Sequence, residues 1–219
     1  MYDGVVLIDK PAGLTSFGVV ARLRRVLSHD AGKKVKVGHT GTLDPFATGL
    51  MILVTGKECK NAQHYSKLDK VYEATIFLGK TSSTGDPEGE LTDVSDAQPT
   101  QQQIESVLEQ FRGEISQRPP IFSAIKIDGK RAYKLAREGK EVEIPLRNVT
   151  VHALDITSYA YPELRIRTHV SSGTYIRSLA SDIGEALGTG AYCTQLRRTQ
   201  IADWSLDDAK QLSDFGIVD

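Results

Sequence analysis

Apolar positions along the chain follow two rhythms, and these divide it into strands and helices. Gly4-Val5-Val6-Leu7-Ile8-Asp9 is a nearly unbroken apolar run that reads as a buried strand, closed by the breakers in Lys10-Pro11-Ala12-Gly13. Val19, Leu23 and Val26 then recur at three- and four-residue intervals, predicting a helix capped by Thr15 or Ser16, with Arg22, Arg24 and Arg25 largely off its apolar face. Met51 to Val54 and Val71 to Leu78 return to strand character, and Ser82 to Pro87 is polar and turn-forming. Thr100 and Gln103 supply the two ends of a capping box ahead of Ile104, Val107, Leu108 and Phe111. Pro119-Pro120 breaks the chain before a helical piece from Arg131 to Glu138, closed by Gly139. Val149 to Ile156 and Leu164 to Val170 read as strands, the second alternating Leu164, Ile166, Thr168 and Val170 against Arg165, Arg167 and His169. Ile176, Leu179, Ala180, Ile183 and Leu187 mark a last amphipathic helix, ended by Gly188 and Gly190. Strands and helices are interspersed without regular β-α-β alternation. The expected class is therefore α+β, a mixed and largely antiparallel central sheet flanked by helices.

At 40% hydrophobic and 25% charged, the 219 residues have the composition of an ordinary globular protein. No apolar run approaches the roughly 20 residues that cross a bilayer, so a cytoplasmic location is expected, with no membrane partner. Cys59 and Cys193 lack the number and spacing of a disulfide framework or a metal site, and the histidines lack ligand spacing, so no metal is expected. Net charge is −1, yet the charge is regional. Residues 1–41 hold seven Lys/Arg against three acids and residues 120–140 six against two, whereas 85–114 carries eight Asp/Glu against Arg112 alone. A near-neutral chain can thus present one basic face to a polyanion.

The loop Gly38-His39-Thr40-Gly41-Thr42-Leu43-Asp44-Pro45-Phe46-Ala47-Thr48-Gly49 concentrates the chemistry. Its glycines allow close backbone approach, Pro45 biases Asp44 away from helical geometry, and Leu43, Phe46 and Leu50 place apolar atoms around the carboxylate. An isolated Asp-Pro is usually only a turn. Two other segments supply what a desolvated carboxylate needs: Arg177, a guanidinium that would keep it ionised, and Tyr72, an aromatic face on which an unpaired base could stack. Gly79-Lys80-Thr81 suggests a P-loop, but the pattern requires glycine where Ala74 stands.

The 38–49 loop resembles the signature of TruB-type pseudouridine synthases. It is joined in order by Asp9-Lys10-Pro11-x-Gly13, Lys70-x-Tyr72, Gly79-x-x-Ser82-x-Thr84-x-Asp86, Pro119-Pro120-x-x-Ser123-Ala124-x-Lys126, Arg131-Ala132-Tyr133-x-Leu135-Ala136-Arg137-x-Gly139, Gly173-Thr174-Tyr175-Ile176-Arg177 and Leu196-Arg197-Arg198. The resemblance implies the pseudouridine synthase fold and conversion of uridine 55 in the T loop of tRNA to pseudouridine, without cofactor or metal, by a monomer. It further implies Asp44 as nucleophile, Arg177 as its ion-pair partner, Tyr72 stacking on the target base, and His39 helping to extrude it. Substrate contacts would come from Thr42, Lys10, Lys126, Arg131, Arg137, Leu196 and Arg197, with 120–147 as a mobile RNA-gripping insertion. The same surface would suit a tRNA chaperone. Most members of the family continue into a PUA domain; here a single catalytic domain over 1–219 without one is expected, with weaker tRNA binding than in longer relatives.

Overall fold

The computed structural model describes residues 3–123, 125–127, 130–132 and 144–217. The chain forms two compact units, one of Met1–Glu73 with Leu196–Asp219 and the other of Ala74–Gln195. Two strands, β4 (Lys70–Leu78) and β12 (Ala191–Ile201), pass from one unit into the other.

In the first unit β1 (Gly4–Lys10) runs antiparallel to β3 (Thr48–Thr55) in unbroken register from Gly4↔Thr55 to Lys10↔Gly49. The short β2 (Val37–His39) also pairs with β3, and β12 meets the start of β3 in parallel, Arg197↔Thr48 and Arg198↔Gly49. β3 is almost wholly apolar because it is buried on both faces, unlike a strand with a solvent side. Leu50, Ile52 and Val54 pack on one face with Ile201, Tyr65 and Trp204. Helix α1 (Ser16–Asp30) starts at Thr15, whose side chain accepts from the Gly18 amide, and buries Val19, Val20 and Leu23. Helix α2 (Ala62–Ser66) and β13 (Trp204–Ser205) complete the unit.

The second unit is built on antiparallel pairs. β10 (Arg147–Ala160) pairs with β7 (Gly113–Gln117) and with β11 (Glu163–Val170). The alternation read along residues 164–170 is the burial alternation of β11. Helix α3 (Gln101–Leu108) has the expected capping box in full. Helix α4 (Ile176–Ala186) buries Ile176, Leu179, Ala180 and Ile183. A small hairpin joins β5 (Lys80–Ser82) to β6 (Leu91–Asp93).

The architecture is α+β with a mixed, mostly antiparallel sheet, as expected. Of the insertion expected over 120–147, β8 (Lys126–Ile127) pairs with β9 (Lys130–Arg131). Residues 133–143, which hold Arg137 and most of the helix expected there, lie outside the described residues, as do the side chains of Lys126 and Arg131. No helix among the described residues is long and apolar enough to cross a membrane.

Candidate active site

The first unit presents the loop that carries Asp44 between β2 and β3. Its backbone is pinned from three sides. The Ser16 hydroxyl, at the start of α1, accepts from the Leu43 amide at 2.8 Å and donates to the Leu43 carbonyl at 2.9 Å. Thr40 donates through both its amide and its hydroxyl to the Ile52 carbonyl. Lys10, fully buried, donates its ammonium to the carbonyls of Pro11, Leu14 and Pro45. Asp44 is partly buried, and its carbonyl accepts from the Ala47 amide. Carbonyl dipoles solvate the Lys10 charge, so this lysine, expected among the substrate contacts, secures the loop that carries Asp44.

Behind the loop lies a second buried cation. Arg198 is 1% exposed; its Nε donates to the Leu50 carbonyl at 2.7 Å, Nη2 to the Gly41 carbonyl at 3.2 Å, and Nη1 to the Tyr72 hydroxyl at 3.5 Å. Gly49 has φ +107°, and a Cβ there would lie 2.2 Å from the Arg198 carbonyl oxygen. Only glycine lets β12 approach this closely. Tyr72 is itself buried on β4, with the Arg198 guanidinium carbon 6.0 Å from its ring centre. Burial pushes the Lys70 ammonium down to about 8, the Arg198 charge adding to the effect and Asp69 opposing it.

The remaining expected residues of this unit differ in setting. His39 is half-buried at the end of β2, and Thr42 is exposed. Leu196 is buried on β12. Arg197, expected to touch RNA, forks onto Asp9, Nη1 to Oδ1 at 3.2 Å and Nη2 to Oδ2 at 2.8 Å, and also donates to the Thr48 hydroxyl.

In the second unit Arg177 occupies the first turn of α4. Nη1 donates to the Thr84 carbonyl at 2.7 Å and to Asp86 Oδ2 at 3.0 Å, and Nη2 to the Phe122 carbonyl at 2.9 Å. The two charged side chains are 3% and 7% exposed. Asp86 also accepts from the Thr84 hydroxyl and the Glu88 amide through Oδ1, so both of its oxygens have donors. Gln117 of β7 holds the start of α4 by exchanging two hydrogen bonds with the Tyr175 backbone, and the Arg147 guanidinium lies 4.8 Å above the Tyr175 ring. Asp86 stood in the sequence pattern with no role assigned, and Arg198 stood at the end of another. Their partners from other segments are remote in sequence, Arg177 at 91 residues from Asp86 and the Gly41 carbonyl at 157 from Arg198, so no local pattern reveals them.

Comparison with known proteins places this geometry. Residues 24–176 match the family profile described as TruB family pseudouridylate synthase (N terminal domain), and residues 177–216 match that of the tRNA pseudouridylate synthase B C-terminal domain. The chain is 47% identical over 202 residues to a protein of Azoarcus sp. (strain BH72) named tRNA pseudouridine synthase B, covering 92% of this chain and 66% of that one. It is 45% identical to one of the same name from Corynebacterium efficiens, covering 97% and 72%. Among solved structures, a Cbf5-Nop10-Gar1 complex aligns with TM-score 0.75 at 31% identity, over 97% of this chain and 53% of that one. An H/ACA RNP bound to a substrate RNA containing 2'-deoxyuridine aligns with TM-score 0.71 at 29% identity, over 96% and 51%. The chain thus spans about two thirds of the length of the first of these relatives and about half of the solved chains.

Proposed function

The chain belongs to the TruB family of pseudouridylate synthases, and on that premise we propose that it isomerises uridine 55 in the T loop of tRNA to pseudouridine, with Asp44 as nucleophile. The observation that carries this reading is the pinned loop: Ser16, Lys10 and Arg198 fix the backbone around one partly buried carboxylate. The reaction breaks the N1–C1′ bond, turns the base and rejoins it through C5, conserving atoms and redox state. It requires a carboxylate that can attack carbon, at C1′ or C6, and a site that retains the detached base.

Reaching the uridine means taking it out of its stack, a cost met by the Tyr72 ring as platform and by His39 in the vacated space. We assign Arg177 the task of keeping Asp44 ionised. A guanidinium carries five N–H donors, so serving Asp86 is compatible with serving a second carboxylate. The basic residues Lys126, Arg131 and Arg137 would contact phosphates of the T arm, which carry affinity and not sequence. The protein would act as a monomer in the cytoplasm.

The test is to incubate purified protein with an unmodified tRNA transcript and map pseudouridine chemically, alongside Asp44→Asn. Conversion by the wild type and none by Asp44→Asn is expected. An unmodified product from the wild type would sink the reading, and turnover by Asp44→Asn would remove Asp44 as nucleophile.

A further inference from the structure

The Arg198 guanidinium is buried to 1% exposure, and among the described residues no carboxylate pairs with it. Its three partners are neutral oxygens: the carbonyls of Gly41 and Leu50 and the hydroxyl of Tyr72. Burying a charge without a counter-ion costs several kcal/mol in general, and an apolar side chain of similar volume would fill the space at lower cost. Lys70 brings a second positive charge close by; burial lowers its basicity, and the Arg198 charge adds to the effect. The arrangement therefore works against folding stability.

What the guanidinium gains is geometric. Gly41 and Leu50 bracket the loop that holds Asp44, and Tyr72 is the platform on which the extruded base would lie. A planar fork that bonds all three sets the distance between the nucleophile's loop and the stacking ring, as a lysine with a single point charge could not. The tight apposition of Gly49 on the Arg198 backbone fixes where that fork starts. We propose that Arg198 is a positioning residue, which acts through Tyr72 and the 41–50 loop to set the geometry in which the uridine is attacked. The proposal rests on the reading of Tyr72 and Asp44 given above.

Two variants test it, Arg198→Met and Arg198→Lys, each measured for melting temperature, amide exchange of residues 40–47, RNA affinity and single-turnover rate. Positioning predicts that kcat falls about 10-fold or more in both while KM changes by less than about twofold, since a displaced reacting group costs rate and not binding. Melting temperature should hold or rise in Arg198→Met, because an apolar residue replaces an uncompensated charge. Amides 40–47 should exchange faster in both variants. Combining Arg198→Lys with Tyr72→Phe should lose less than the product of the single losses, because the two residues share one contact. Unchanged exchange of 40–47, or a fall in kcat matched by a rise in KM and a drop in melting temperature in both variants, would overturn the proposal. A wild type that makes no pseudouridine would tell against the enzymatic reading, while the exchange result would still decide the role of Arg198 in the loop.

Discussion

Arg177 and Asp86 show how much one contact can depend on its partner. Both side chains are almost fully buried, and each makes further hydrogen bonds, Arg177 to two carbonyls and Asp86 from a hydroxyl and an amide. Removing the Asp86 carboxylate takes an acceptor away from the buried Arg177 guanidinium, the Thr84 hydroxyl and the Glu88 amide. Asp86→Ala should therefore lower the free energy of unfolding by about 1–3 kcal/mol, measured by urea denaturation. Asp86→Asn keeps the size and one acceptor, so it should cost less stability than the alanine variant while weakening the hold on Arg177. Its signature is a rate on tRNA that drops more than its stability does. Equal unfolding midpoints for Asp86→Ala and the wild type would show that the pair contributes nothing net.

At the scale of elements, the α3 cap is the feature in which sequence and structure agree most closely. Thr100 accepts from the Gln103 amide, and Gln103 accepts from the Thr100 amide at 2.7 Å, so two otherwise unbonded amides are satisfied. Thr100→Ala should cost about 1 kcal/mol, read as a lower unfolding midpoint. α1, β11 and α4 were legible because their side chains repeat with the period of the element, and β1 because it is an apolar run closed by chain breakers. β12 was not. Its run Ala191-Tyr192-Cys193-Thr194-Gln195-Leu196-Arg197-Arg198-Thr199-Gln200-Ile201 keeps no apolar period, because its polar members are satisfied by bonds inside the fold. Thr194 donates to the Thr75 carbonyl, Thr199 to that of Val71, and Arg198 to that of Leu50. The 38–49 loop was likewise legible as a candidate site from its residues, whereas the cage of carbonyls around Lys10 and the fork of Arg198 depend on chain folding that no local spacing encodes. Gly49 gives this element its sharpest test. Gly49→Ala puts a Cβ into the Arg198 backbone at a φ of +107°, so β3 and β12 must separate, and a large drop in melting temperature is expected.

Over the whole molecule, two ionisable groups, the buried Lys70 and the half-buried Asp182, act on stability in opposite directions with pH. Asp182 of the second unit is pushed up to about 6 by burial, with Glu185 adding to it, and Lys70 of the first unit is pushed down to about 8. For Asp182 the folded state holds its proton to higher pH than the unfolded chain, whose carboxyl titrates at about 3.9, so stability falls as pH rises from there to about 6. For Lys70 the unfolded chain holds the proton longer, so stability rises as pH climbs from about 8 towards 10.5. Both penalties are present in full between these windows, which puts a trough near neutral pH. Asp182→Asn removes one side of it. The variant should melt at a higher temperature than the wild type at about pH 7.5, and at the same temperature at about pH 4, where the wild-type carboxyl is already mostly protonated in the folded state. Calorimetry at the two pH values decides the matter, because a general repacking effect of the amide would shift both melting temperatures alike, and a favourable ion pair at Asp182 would reverse the sign at about pH 7.5.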